Sequence, residues 1–466
     1  MERPDAGEPL AYDRDVPDPA AEALLAALGW DDPALDRAIP AGDEMLSWAE
    51  DHRLGSRQQA LVTYFTGGAM AARAVEAALA WRFGPPPGPE SAARGAARPR
   101  VLDFASGWGR VTRFLVRRRP AADLTVSDID ADAVAFQRRR FGVGGFPSAE
   151  RPEDLACDER FDAVVALSLF SHLPEAGFRA WLGRLAGLVA PGGLLLLSVH
   201  GDSELPPGRS LPPSGIHFEP ISETGRLDKA SYGSSWVGER FVGEALAGLG
   251  RPRLAWRRFP RGLWHLQDLY LVLPDGETDA ARLSACALPD EPRGSLDGWA
   301  RTPAGEVELH GWAATAAGPA RRVEAWVGGR RVAETAPGLR RDDVAALLGS
   351  EAAGSGGWRL LLPRGEAARS GETLVLVAES ADGTRGVLHA ATLEAAATHL
   401  RARQAQAAAE AALREEIAAR DRRVAALGWE AETLRRRIAA MEASRFWKLR
   451  DAWWAVRRRL GLAPPE

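Results

Sequence analysis

From residue 99 the chain alternates short apolar runs with segments of helical spacing. VLDFA (101–105), LTVSD (124–128), FDAVVALSL (161–169) and GGLLLLSVH (192–200) read as buried strands. Between them, GRVTRFLVRRR, DADAVAFQRRRF and PEAGFRAWLGRLAGLV carry apolar residues at helical intervals. This alternation predicts an α/β unit whose mostly parallel sheet is covered by helices on both faces. RFVGEALAGLG predicts one more helix, ended by Gly250. RLAWRRF and HLQDLYLVL predict two closing strands, antiparallel because so short a link cannot make a crossover. Residues 201–238, between these elements, show no regular period.

The flanking segments have other patterns. Residues 1–40, rich in Asp, Pro and Ala, predict an acidic flexible arm. Residues 41–83 predict a helical segment, in two helices broken near Gly67-Gly68, and 84–98 form a Pro/Gly/Ala linker. Residues 285–395 hold short strands with Gly328-Gly329 and Asp382-Gly383 turns, which predicts a small all-β sandwich. Its GWA and GW landmarks at Trp312 and Trp358 suit tryptophans filling a sandwich core, the preferred reading, or else a glycan- or protein-binding module. Residues 396–443 fit a heptad register with Ile417, Val424, Ala431 and Ile438 at a and Leu413, Arg420, Leu427, Leu434 and Met441 at d. A coiled coil, offering a homo-oligomer or a helical partner, competes there with one helix packed on the body.

Composition narrows the classes. With 46% hydrophobic and 26% charged residues, the chain has the material for a packed core. The net charge of −4 gives no global footprint for nucleic acid, so no nucleic-acid partner is expected. Only Lys229 and Lys448 are lysines, which disfavours chemistry through a buried amine. Cys157 and Cys286 cannot make a disulfide framework, no histidine or carboxylate spacing marks a metal site, and the acidic start lacks a signal-peptide core. No apolar run is long enough to span a membrane, and a cytoplasmic location is expected.

VLDFASGWGR is the segment richest in chemistry. A strand ending at Asp103 runs into a turn where Gly107 and Gly109 let the backbone approach a ligand, and a helix follows. The next strand ends at Asp128, where an acid can accept both hydroxyls of a ribose. A dinucleotide site calls for G-x-G-x-x-G, and Thr112 stands in place of the third glycine.

Together with SDID, FDAVVALSLFSHL and LVAPGGLLLLSVHG, this segment makes residues 99–275 resemble the class I methyltransferases that depend on S-adenosyl-L-methionine (SAM). The resemblance implies a Rossmann-like, mostly parallel seven-stranded sheet with an antiparallel last strand. It implies SAM as cofactor and a small-molecule or glycan acceptor. Asp103, Ala105, Ser106, Gly107 and Gly109 would surround its methionine part. Asp128 would hold the ribose, Ile129 pack on the adenine, and Ala149 and Glu150 lie at the adenine edge. Ser168 and Leu169 would flank the sulfonium. Ala105 replaces the family's first motif glycine, and a positive φ there would strain an alanine.

His172, just past the fourth strand, is the candidate base for taking a proton from an acceptor hydroxyl, or else a cap for the helix that follows. His200 has a lesser claim, and His217 and Tyr232 lie in an insert that could form an acceptor lid. The tail, residues 444–466, places Phe446, Leu449, Trp453, Val456 and Leu460 at helical spacing among six basic residues. It reads as a basic amphipathic helix for peripheral contact with a membrane's inner face through 444–462, or as a helix packed on the body. S-R-F-W-K-L-R also resembles tails of bacterial glycosyltransferase and surface-polysaccharide proteins. The function expected is O-methylation of a hydroxyl, on a sugar of a surface glycan or its precursor. The alternative is a non-catalytic scaffold of the same fold, organising partners through the coiled coil and tail.

Overall fold

The structure is a computed structural model that describes residues 19–30, 32–40, 42–49, 57–85, 98–206, 208–221, 227–275, 280–367 and 372–461. They fall into two compact units, 1–395 and 396–466. Most of the expected linker, the first part of the arm and the extreme C-terminus lie outside the described residues.

The first unit is built on a large sheet. Strands β1 (Val101–Phe104), β2 (Leu124–Asp128), β3 (Gly144–Pro147), β4 (Phe161–Ala166) and β5 (Val189–Gly201) run parallel in the order β3-β2-β1-β4-β5. The insert at 201–238 is not wholly irregular. It contributes β6 (Ile216–Glu219) and β7 (Ser234–Val237), an antiparallel pair that joins the last two residues of β5. Strands β8 (Ala255–Leu263) and β9 (Gln267–Leu273) close the sheet, with β9 antiparallel to both β5 and β8.

Alternate residues of each strand serve opposite faces, as a two-residue period dictates. Val101, Ala163, Val165, Leu194 and Leu196 enter one core, and Leu102, Phe104, Val164, Leu195 and Leu197 the other. Among the helices, α1 (Pro19–Ala27), α2 (Glu44–Ala49) and α3 (Arg57–Phe83) precede the sheet. Between its strands lie α4 (Thr112–Leu115), α5 (Ala131–Phe141), α6 (Glu175–Leu188) and α7 (Glu239–Ala247). Asp130 caps α5 by accepting the Asp132 amide, and Gly142 ends it in the left-handed region at φ 70°.

Two expectations about the N-terminal region are corrected. Residues 19–40 are not a free arm, because Leu24, Leu25, Trp30 and Leu35 are buried in the first core. The acidic composition of that segment hid an apolar face. Gly67-Gly68 does not break α3 either, which runs unbroken through both. A side chain at Gly68 would overlap the Arg110 carbonyl, so the glycine serves close packing between α3 and the turn after β1.

Residues 293–392 form two four-stranded antiparallel sheets. One holds β10 (Arg293–Arg301), β11 (Val307–Thr315), β12 (Gly318–Pro319) and β15 (Gly357–Leu362). The other holds β13 (Arg322–Val327), β14 (Arg330–Thr335), β16 (Thr373–Glu379) and β17 (Arg385–Thr392). A helix, α8 (Asp342–Leu348), lies between β14 and β15 in sequence. Trp358 is fully buried, whereas Trp312 is partly exposed. Val375, Val377 and Ala390 belong to the same core as α1 and α3, so this region shares its interior with the large sheet's helices.

The second unit holds most of α9 (Leu393–Ala443) together with α10 (Arg445–Arg459). Ser444 caps α10 by accepting the Trp447 amide. The heptad residues Leu413, Ile417, Val424, Leu427, Leu434, Ile438 and Met441 are exposed along α9. No helix among the described residues is long and apolar enough to cross a membrane.

One buried side chain ties the N-terminal segment to the large sheet. Arg113 on α4 is fully buried and donates to the carbonyls of Gly109 at 3.1 Å, Asp36 at 3.2 Å and Ala38 at 3.0 Å. It also donates to the Tyr64 hydroxyl at 3.1 Å, which in turn donates to Asp43 at 2.6 Å. Replacing Arg113 by Ala leaves those acceptors and Asp43 without their cation. The expected loss is about 3–5 kcal/mol of unfolding free energy, read by urea denaturation. A loss under about 1 kcal/mol would show that water replaces the guanidinium at little cost.

Candidate functional site

The carboxyl ends of β1, β2 and β4 open into a cavity of about 730 Å3, a size that holds a nucleotide-like ligand and a second molecule. Asp103, Ala105, Ser106, Gly107, Asp128, Ile129, Ala149, Glu150, Ser168, Leu169 and His172 all line it. The fold brings together eleven candidates that are spread over 70 residues of sequence. Gly109 is the exception. A side chain there would strike Phe141 and Gln137, so this glycine, at φ 80°, packs against α5 behind the turn.

The glycine turn is held from below. Asp128 accepts the Gly107 amide at 2.7 Å and the Asp130 amide at 2.9 Å. Gln137, buried on α5, donates to the Ser106 hydroxyl and to the Gly107 carbonyl, both at 2.8 Å. At Gly107 itself, with φ 55°, a Cβ would meet no atom within 4 Å. That open space beside the turn is a cradle that a side chain would fill, and it suits the sugar and amino-acid parts of a bound nucleoside derivative. Ile129, 40% exposed on the cavity wall, offers the apolar surface an adenine needs.

Ala105 takes φ 57° and Ser168 φ 63°, both left-handed for residues with a side chain. Ser168 is kept there by its amide donating to Ser198 Oγ and its hydroxyl accepting from Gln267, each at 2.8 Å. Ala105 thus has the strained conformation that glycine would adopt freely.

Burial moves two ionisable groups toward neutrality. Asp103 is pushed up to about 7, by burial first, opposed by the Thr112 hydroxyl donating to Oδ2 at 2.8 Å, with Asp128 adding repulsion. The Thr112 that breaks the dinucleotide pattern therefore fastens the acid at the end of β1. His172 is lowered to about 4, again by burial first, with nearby His200 contributing. Its Nδ1 lies 2.8 Å from the Gly233 carbonyl, which assigns the ring proton to Nδ1 and leaves Nε2 as the basic nitrogen. The His172 ring stacks on Tyr232, with centroids 4.8 Å apart. Segment 231–235 is zipped to the His172 loop by the Gly233 and Ser235 amides donating to the His172 and Ser171 carbonyls. His200 and Tyr232 also line the cavity, while His217 pairs with Glu219 outside its wall.

Sequence reasoning missed the far wall. It includes Met45, Tyr64 and Met70 from the N-terminal helices, Trp264 before β9, and Leu388 and His389 from β17. No local motif marks these residues, because they reach the cavity only through tertiary packing. Arg110 lies over the Trp264 ring, 4.7 Å from its centroid, and the Trp264 indole donates to the Gly67 carbonyl at 2.7 Å. No group of three metal-ligating side chains occurs among the described residues.

The strand order β3-β2-β1-β4-β5-β9-β8 with β9 reversed, and this cavity at its carboxyl edge, define a Rossmann-like methyltransferase fold. Residues 102–195 match a family described as a methyltransferase domain. An uncharacterized protein of Synechococcus sp. is 31% identical over 113 residues, 22% of this chain and 26% of its own length. A probable fatty acid methyltransferase of Pseudomonas putida is 29% identical over 101 residues, 21% of this chain and 25% of its own. The chain therefore spans about a quarter of the length of these curated relatives. Among solved structures, a DhpI–SAH complex is 20% identical and covers 50% of this chain and 95% of its own, with a TM-score of 0.31.

Ala105→Gly removes the left-handed strain at the first turn residue. It should raise stability by roughly 0.5–1 kcal/mol in urea denaturation. A destabilised variant would mean that the alanine methyl supports the turn by packing.

Proposed function

We propose that the protein is a SAM-dependent methyltransferase acting on a hydroxyl, on a sugar of a surface glycan or its precursor. The observation that carries the catalytic part is the convergence of the glycine turn, Asp128 and His172 on one cavity at the sheet's carboxyl edge. The residues there fit the cofactor. The Ser106–Gly107 turn and Asp103 would hold its methionine part, Asp128 its ribose, and Ile129, Ala149 and Glu150 its adenine. When bound, SAM supplies a methyl group already activated on a sulfonium.

The chain's own residues then align and deprotonate the acceptor. His172 Nε2 is neutral at physiological pH and can accept a hydroxyl proton, while Gly233 and Tyr232 fix the ring. Tyr232 and Trp264 offer rings that a sugar can contact, and with the segment carrying Tyr232 they restrict water. The glycan assignment rests on the tail's resemblance to polysaccharide-associated proteins and on these aromatic walls.

The strained Ala105 favours a second reading, a scaffold with a weakened cofactor site. Calorimetry with SAM separates the two, since absence of binding at millimolar cofactor would support the scaffold. Glycan mass spectrometry with and without the protein then seeks the methyl shift. In that assay His172→Ala should cut turnover by about 100-fold or more while SAM affinity stays within about threefold. Because His172 titrates near 4, wild-type turnover should persist down to about pH 5 and fall below it as Nε2 becomes protonated. An acid limb at pH 6–7 would remove His172 as the base.

The second unit supports a location at a membrane surface and self-association through α9. On α10 the exposed Phe446, Leu449, Trp453, Val456 and Leu460 recur at helical spacing beside Lys448, Arg450 and Arg457–Arg459. Arg450 lies over the Trp447 ring, 3.4 Å from its centroid. Deleting residues 444–466 should abolish co-sedimentation with anionic liposomes. Equal binding with and without the tail would overturn this part of the reading.

A further inference from the structure

A second cavity, of about 530 Å3, lies where the turn between β8 and β9 meets α3 and the chain entering β10. It is separate from the reading above, although Met70 and Trp264 belong to the walls of both cavities. Arg257, Arg261, His265 and Arg293 face it. Their bonding states differ in a telling way. Arg257 is satisfied, its Nη1 donating to the Leu283, Ser284 and Cys286 carbonyls at 2.6–2.8 Å. Arg261 gives one Nη to Glu204 at 2.9 Å, but its Nε is buried without a hydrogen-bond partner among the described residues. Arg293 makes no ion pair among the described residues, and Asp290 attracts it only at longer range.

Cations are therefore crowded together. Burial and the neighbouring Arg261 lower Arg293, and burial followed by Arg293 and Arg261 lowers His265 to about 4. Two carboxylates also lie on the wall. Glu291 Oε1 accepts from Arg73 Nε at 2.8 Å while its Oε2 is buried without a hydrogen-bond partner among the described residues, and burial raises this carboxyl. Asp290 accepts the Ala317 amide at 3.3 Å. The turn is also held in an unfavourable backbone, with Arg261 at φ 52°, Trp264 at φ 55° and His265 at φ 58°. Strain of this kind persists where surrounding structure fixes side chains for a purpose.

We infer that this cavity is an anion site that takes a phosphate group, free or carried on a small molecule, between Arg261 and Arg293. A phosphate would accept the unpartnered Arg261 Nε–H, give Arg293 a counter-charge and relieve the repulsion between the two guanidinium groups. Phe259 and Trp264 on the same wall would contact the remainder of a phosphorylated molecule. The site lies between the large sheet and the β10–β17 region, so its occupant would also brace their junction.

Calorimetry of the full chain with inorganic phosphate and, separately, with a hexose 1-phosphate tests this at constant ionic strength. At least one should bind saturably at millimolar concentration or below. Arg293→Gln should weaken binding about tenfold or more, whereas Arg293→Lys, which keeps a charge, should lose less. Leu347 lines the cavity and is 64% exposed, so Leu347→Glu adds a carboxylate without disturbing the core, and it too should weaken binding. SAM affinity should be unchanged in all three variants. The inference is overturned if neither probe binds the wild-type chain, or if binding survives in Leu347→Glu and in folded Arg293→Gln.

Discussion

Arg113 is the side chain around which the first unit is organised. It occupies the interior of α4, one turn beyond the glycine loop, and its donors reach three separate stretches of chain. A guanidinium in such a place is tolerable only if its donors find acceptors. The carbonyls of Asp36, Ala38 and Gly109 and the Tyr64 hydroxyl meet that need. The glycine loop, the N-terminal segment at Asp36 and Ala38, and Tyr64 on α3 are therefore held by the same group. Asp43, whose carboxyl is raised by burial, is stabilised through Tyr64 from the other side.

Two ionisable groups of the site built on this frame are buried. Burial raises Asp103 and lowers His172, so both tend toward their neutral forms. Each responds to charge in the cavity in a definite direction. A cation beside Asp103 favours the carboxylate, and neutral His172 retains Nε2 as an acceptor. For folding, the signs differ. Asp103 contributes stability that is present below about pH 4 and lost as pH rises through about 7. His172, with its lowered value, contributes stability that is lost as pH falls from 6.5 through about 4.

Trp264 links this chemistry to the rest of the unit. Its ring lies under Arg110, its indole is bonded to α3 at Gly67, and it belongs to the walls of both cavities. The β10–β17 region reaches the same place through Leu388 and His389. The far wall of the larger cavity is thus built by residues from three distant parts of the chain.

The strand–helix alternation of residues 99–275, the reversed closing strand and eleven residues of the cavity wall were legible along the chain. The strand pattern, the glycine turn and the acid at a strand end follow from local causes, while Ala105, Ser106, Ile129, Ala149, Glu150, Ser168 and Leu169 come from the resemblance to class I methyltransferases. Where local pattern and tertiary packing compete, the sequence misled. Gly67-Gly68 reads as a helix break, yet it is the gap that lets α3 approach Arg110. Asp- and Pro-rich residues 1–40 read as a free arm, yet Leu24, Leu25 and Trp30 join a core shared with α3, the large sheet and β17. Gly109 reads as a ligand contact, but its missing side chain makes room for Phe141 and Gln137. Which side chains lose water depends on how distant segments pack together. That loss fixes the direction of the Asp103 and His172 shifts, the demand Arg113 places on its carbonyl partners and the crowding of Arg261 and Arg293, and no period or spacing along the chain encodes it.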